Sequence, residues 1–173
     1  DRKNLTQIIN ISEKPLFEIG SPGSFDEFGA MTSCFINVGK KVYGYYTGWS
    51  RLQTVPYTMA IGLAISSDGG DTFKKISEGP ILGQTEKEPF LLSGPKIIIE
   101  NGLWHMWYLV GTKWLNHNGK YEPVYKFAHA KSKDGISWER NGIPIIPSKF
   151  KDECQVSFSV FRHNDKWNAI FAY

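Results

Sequence analysis

Three acidic residues recur at one step of this sequence: Asp26, Glu88 and Glu153 each stand 20 residues ahead of a tyrosine, at Tyr46, Tyr108 and Tyr173. Carboxyl groups that meet in pairs do proton chemistry when their surroundings push their pKa values apart, one staying protonated as a donor and the other ionised as a base or nucleophile. Each of the three also has an acidic neighbour, in Glu27, Glu86 and Asp152, so solvated acids in an Asp- and Glu-rich connection are the plainer alternative. No glycine-rich phosphate loop, Ser-His-Asp order or dinucleotide fingerprint competes with them. His105 and His129 lie within strand-like runs and read as satisfied side chains, while His117 and His163 lack an acidic or cysteine partner at ligand spacing. No metal and no cofactor is therefore expected.

The elements that must position these acids follow from an internal repeat, which decides the fold before any local reading does. Val42-Tyr43-Gly44-Tyr45-Tyr46-Thr47-Gly48 matches Leu103-Trp104-His105-Met106-Trp107-Tyr108-Leu109-Val110-Gly111, and Lys166 to Tyr173 is a third copy. A second element keeps step: Gly62 to Phe73, with Ser66-Ser67-Asp68-Gly69, recurs as Phe127 to Trp138, with Ser132-Lys133-Asp134-Gly135. Short aromatic and β-branched runs, bounded by Gly39-Lys40, Asn101-Gly102 and Asn164-Asp165, predict antiparallel hairpins and no helix. Strand A is expected at 31–38, 94–100 and 156–163, strand B at 42–48, 103–110 and 166–172, strand C at 58–66 and 124–132, and strand D at 72–77 and 137–141. Four antiparallel strands per repeat of about 64 residues make the blade of a β-propeller, an all-β fold.

The predicted units are 26–80, 88–146 and 153–173, with 1–20 as the outer strand of a preceding or closing blade. Residues that enter strand A line a propeller's central channel, so the three carboxylates are expected to converge at one mouth. On that geometry the loops after strand B lie beside them and carry Trp49, Arg51, Lys113 and Trp114. An aromatic face with a neighbouring cation suits stacking on a sugar ring and holding its hydroxyls; packing at blade edges is the alternative.

Composition agrees with a folded chain that buries a core. Hydrophobic residues make up 41% of the 173 and charged residues 21%, which argues against disorder. Twenty Lys and Arg against 17 Asp and Glu leave +3, too little to predict a nucleic-acid or acidic-membrane partner. No apolar run approaches the roughly 20 residues of a membrane helix, and the opening Asp1-Arg2-Lys3-Asn4 lacks a leader's apolar stretch, so a soluble protein is expected. Cys34 and Cys154 have neither zinc nor disulfide-framework spacing.

Through the Ala130 to Trp138 turn, the Tyr45-Tyr46-Thr47-Gly48 strand and the acid ahead of each strand A, the chain resembles the five-bladed propeller glycoside hydrolases of the arabinanase, xylosidase and invertase type, in a family 43-like form. The resemblance implies cleavage of glycosidic bonds, with Asp26 as base or nucleophile, Glu88 as the group that orients and tunes the acid, and Glu153 as proton donor. Glu88 departs from the Asp that such families carry at the second position. Phosphorolysis is one alternative, and a carbohydrate-binding or scaffold propeller without turnover is another. A sialidase is disfavoured because only Arg2, Arg51, Arg140 and Arg162 are available for a carboxylated sugar. At about 64 residues a unit, 173 residues make about 2.7 units, whereas propellers close with four to eight. A homo-oligomeric ring or a longer parent chain is expected to complete it.

Overall fold

The computed structural model describes residues 4, 6–8 and 11–173, and among these it contains strands, turns and bends but no helix. Its elements are β1 (Gly29–Val38), β2 (Lys41–Arg51), β3 (Tyr57–Ser66), β4 (Lys74–Lys75), β5 (Leu92–Glu100), β6 (Leu103–His117), β7 (Lys120–Ser132), β8 (Glu139–Arg140), β9 (Val156–His163) and β10 (Lys166–Ala172). They form two four-stranded antiparallel sheets, β1 to β4 and β5 to β8, each ordered as in the chain, and a two-stranded sheet of β9 and β10. Two complete blades and the inner half of a third are therefore present.

The hairpins close where the sequence offers residues that tolerate a left-handed backbone: Gly39, the pair Asn101-Gly102, and Asn164-Asp165 all have positive φ. Asn118-Gly119 does the same between β6 and β7. That last Asn-Gly pair makes β6 and β7 a long hairpin, so β6 reaches His117 rather than stopping near Val110. Likewise β2 continues to Arg51, paired with Tyr57 of β3. The outer strands are shorter than expected, two residues each in β4 and β8. Among the described residues of the first 20 no strand forms; Arg2, Ile9 and Asn10, on which the expected outer strand partly falls, lie outside the described residues.

Blade stacking explains why neighbouring residues of one strand are both buried. Tyr45 and Tyr46 point to opposite faces of the first sheet, yet neither is more than 1% exposed. On one side Tyr45 joins Leu63, Leu92, Ile97, Trp104, Met106 and Ala130 in the seam between the first two blades. On the other side Tyr46 meets Phe17 and Phe25 of the preceding segment. Each fully buried aromatic of this kind contributes about 1.5 to 3 kcal/mol. A second cluster, Trp107, Phe127 and Phe158 with Trp167 and Phe171 against it, seals the second blade to the third.

The repeated Ser-x-Asp-Gly turns are built by their own side chains. Asp68 accepts from the backbone N–H of Thr72 at 3.0 Å, and Ser66 Oγ accepts from Gly70 N–H at 2.8 Å. Asp134 accepts from Ile136 and Ser137 N–H, each at 2.8 Å, while Ser132 Oγ accepts from Gly135 N–H. Accepted hydrogen bonds favour the ionised carboxylate, so both aspartates titrate below their ordinary range.

Candidate active site

Each of the three acids is buried to 1% exposure. Asp26 precedes β1; its Oδ2 accepts from Tyr46 Oη at 3.1 Å and ion-pairs with Lys75 Nζ at 2.6 Å, while Oδ1 accepts from Ser24 Oγ at 3.0 Å. Glu88 repeats the arrangement. Its Oε1 accepts from Tyr108 Oη at 2.6 Å, and its Oε2 lies 2.8 Å from Arg140 Nε. That second contact is ionic rather than a well-directed hydrogen bond, because Oε2 has no hydrogen-bond partner and Arg140 Nη1 is also unpartnered.

Register shows where these carboxylates sit. Tyr46 is paired with Gly62 of β3, and a Cβ placed on Gly62 would lie 2.3 Å from the tyrosine Cζ and 2.5 Å from its Oη. The phenol therefore crosses the third strand over Gly62, where a Cβ would collide with it. Lys75, from the outermost strand and paired with Ala64, meets it there. In the second blade Tyr108 is paired with Ala128, and Arg140 with Ala130. Among the described residues no hydrogen bond joins any two of Asp26, Glu88 and Glu153; Asp26 and Glu88 are each held by a tyrosine and a cation of their own unit. The partners Lys75 and Arg140 were missed in the sequence although a signal exists, since each follows the strand D aromatic, Phe73 or Trp138, by two residues. A cavity of about 450 Å3 borders Asp26, lined also by Phe17, Ser21, Phe73, Lys75 and Glu78.

The third unit differs. Glu153 accepts from the Lys149 backbone N–H and from Gln155 Nε2, the latter at 3.2 Å. The Lys149 amide outweighs burial, and the Gln155 amide and the charges of Lys126 and Lys149 add to it, so Glu153 titrates below its ordinary range. A proton donor needs the opposite shift. Tyr173 does not reach Glu153: it is 64% exposed and its ring lies under Lys149 Nζ, 4.5 Å from the centroid. Lys126 is buried in β7 with no hydrogen-bond partner on Nζ.

The expected sugar-contacting residues belong to strands, which corrects their placement in loops after strand B. Trp49 lies in β2 with its ring over Gly29, and the Arg51 guanidinium stands 4.9 Å from the Phe28 ring centroid. Lys113 ion-pairs with Asp152, next to Glu153. Trp114 meets Tyr57 edge to face at 5.6 Å, and Tyr57 Oη lies 3.4 Å from Tyr125 Oη. Gln155 N–H in turn donates to the Tyr125 carbonyl at 2.9 Å. The fold thus gathers Lys113, Trp114, Tyr57 and Tyr125 near the segment that bears Glu153, and leaves Trp49 and Arg51 on the first blade.

His105 Nδ1 and His129 Nε2 share a hydrogen bond at 3.0 Å, packed with Trp107 and Trp167. Burial, the neighbouring imidazole and Lys131 push His129 down to about 4, and burial with Lys131 lowers His105. Among the described residues no group of three or more His, Cys, Asp or Glu could hold a metal, and no helix is long and apolar enough to cross a membrane.

Stacked four-stranded antiparallel blades define a partial β-propeller. Residues 91–173, just under half of the chain, match the N-terminal domain of the glycosyl hydrolases family 32, so the likeness falls there and not on the family 43-like group. An uncharacterized protein of Mycobacterium tuberculosis, Rv1502, is 34% identical over 134 residues, 78% of this chain and 44% of that protein. The 1,2-beta-oligomannan phosphorylase of a Thermoanaerobacter species is 29% identical over 89 residues, 51% of this chain and 28% of the enzyme. The Bombyx mori GH32 beta-fructofuranosidase BmSUC1 superposes with a TM-score of 0.66 at 19% identity, over 82% of this chain and 29% of its own, which bears on the fold alone. The chain spans less than half the length of these relatives.

Proposed function

We propose that this chain is part of a propeller that cleaves glycosidic bonds, with Asp26, Glu88 and Glu153 as the carboxylates offered for that chemistry and carbohydrate as the partner. The observation that carries the reading is the sequence match over residues 91–173, which contains Glu153. Its surroundings suit Glu153 to accept a proton, activating water or phosphate, rather than to donate one. Lys113, Trp114, Trp49 and Arg51 are the proposed sugar contacts. A closed ring needs further blades, from a second copy or a longer chain.

A second reading, a propeller that binds carbohydrate without turnover, is favoured by one specific observation: Asp26 and Glu88 are each taken up by a tyrosine and a cation. The test is release of reducing sugar or sugar phosphate from fructosides and β-mannosides by the full-length protein, with and without inorganic phosphate. Turnover that Glu153→Gln reduces by about 100-fold or more, while sugar binding persists, supports the first reading. Sugar binding without any turnover supports the second, and neither binding nor turnover removes both.

A further inference from the structure

The repeat supplies its own control, because equivalent positions of successive units differ at places where the difference changes chemistry. Two residues after the acid stand Phe28 in the first unit and Phe90 in the second, 47% and 37% exposed, whereas the third has Gln155, fully buried. Its amide is used from both ends. Nε2 donates to Glu153 Oε1 at 3.2 Å and to the Ile146 carbonyl at 3.4 Å, while Oε1 accepts from the Phe127 N–H at 3.4 Å. With the Gln155 N–H on the Tyr125 carbonyl at 2.9 Å, this residue ties the acid to β7 on both sides of Lys126. Lys126 is a second departure. It pairs with Val110 of β6 as Ala60 of β3 pairs with Gly48 of β2, so the second blade carries an ammonium where the first carries a methyl. Its Nζ is buried without a hydrogen-bond partner, and its charge acts on Glu153.

We propose that Gln155 is a positioning residue for Glu153, fixing its carboxylate in one orientation against β7, and that Lys126 is the buried counter-charge of that carboxylate. The inference rests on the reading of Glu153 as the base of glycosidic cleavage and adds the two residues that equip it. Contrast with the other acids gives the reason. Asp26 Oδ2 accepts from Tyr46 and Lys75, and Glu88 is held by Tyr108 and Arg140, so a cation sits directly on each carboxylate. Among the described residues Glu153 makes no ion pair. Oε2 accepts from the Lys149 N–H and Oε1 from Gln155, which leaves a second lone pair on each oxygen for a proton. Neutral amide donors orient a carboxylate without cancelling its charge, and a cation held off contact favours the ionised form while those lone pairs stay open. The charged groups that act on Glu153 are Lys126 from β7 and Lys149 from the preceding segment; the adjacent Asp152 is taken by Lys113.

The test uses the full-length protein with Gln155→Met and Lys126→Met, which keep side-chain length and remove the amide or the charge. Carbon-13 carboxyl NMR of glutamate-labelled protein reads the titration of Glu153, with Glu153→Gln to assign its signal. Lost donors and lost positive charge disfavour the ionised form, so the midpoint should move to higher pH in both variants and return in Lys126→Arg. On a glycoside that the protein turns over, Gln155→Met should lower kcat about 10-fold or more with KM changed less than about 2-fold. The acid limb of the rate profile should move to higher pH with the NMR midpoint. A purely structural Gln155 would lower the melting temperature with neither midpoint nor limb displaced, and that result overturns the proposal. An unmoved midpoint in Lys126→Met overturns the role of Lys126. If Gln155→Met does not fold, Gln155→Asn, which keeps the amide and shortens its reach, gives the same two readouts. Absence of turnover in the unaltered protein removes Glu153 as a base in glycosidic cleavage, and the NMR midpoints still decide whether Gln155 and Lys126 govern its carboxylate.

Discussion

Tyr45 donates its hydroxyl hydrogen to the backbone carbonyl of Gly135 at 2.8 Å, tying the second strand of one blade to a turn of the next. The turn residue has φ +75°, and a Cβ on it would lie 2.7 Å from both Tyr45 Oη and the Trp104 ring. Glycine is required there twice over, by the backbone and by the packing. Tyr45→Phe should lower stability by about 1 to 3 kcal/mol, the cost of a buried carbonyl left without its donor. Gly135→Ala should cost more. Urea denaturation midpoints check both, and unchanged midpoints would show that the seam does not depend on this contact.

Glu88 and Arg140 form a buried ion pair, so removing one partner strands the other. Glu88→Gln and Arg140→Met should each destabilise by about 3 to 5 kcal/mol, and the double variant by clearly less than the sum. A double-mutant cycle reads the coupling directly. Strict additivity would mean that the two charges do not act on each other. The Asp26–Lys75 pair, whose lysine side chain is 20% exposed, should show smaller values in the same cycle.

The histidine pair makes a pH prediction with a definite sign. Folding holds His129 near 4, below its ordinary 6.5, and lowers His105, so the unfolded chain binds more protons between these values. The stability supplied by the neutral pair is fully present above about pH 6.5 and is lost as pH falls toward 4. Partial exposure reduces the effect to about 1 to 2 kcal/mol. His129→Gln should flatten that part of the profile, measured by denaturation between pH 4 and 7.5; an unchanged slope would count against the pair as its source.

Trp114 and Lys113 offer a test of sugar contact apart from catalysis. Trp114→Ala should weaken oligosaccharide binding about 5- to 10-fold, as expected for loss of one aromatic platform. Calorimetric titration reads it, with thermal unfolding run in parallel. A loss of stability with no loss of affinity would mean that Trp114 only packs on Tyr57.

The strand pattern was legible because it is local. Alternating aromatic and β-branched runs, glycine and asparagine turns, and a period near 64 residues determine antiparallel hairpins and their repetition, and they also pick out Asp26, Glu88 and Glu153 as equivalents. Where β2 and β6 end was not local: whether Trp49 to Arg51 or Lys113 to His117 stay extended depends on a partner strand, and the Asn118-Gly119 turn gave β6 that partner. The surroundings of each acid were less local still. Lys75 and Arg140 are two strands away from the tyrosines they join, and only twisted, stacked sheets bring them over Gly62 and Ala128 to a carboxylate. The sequence alone therefore determined that the acids recur, through its period; the tertiary structure decided what each one touches, because a buried charge takes whatever counter-charge the neighbouring strand can deliver.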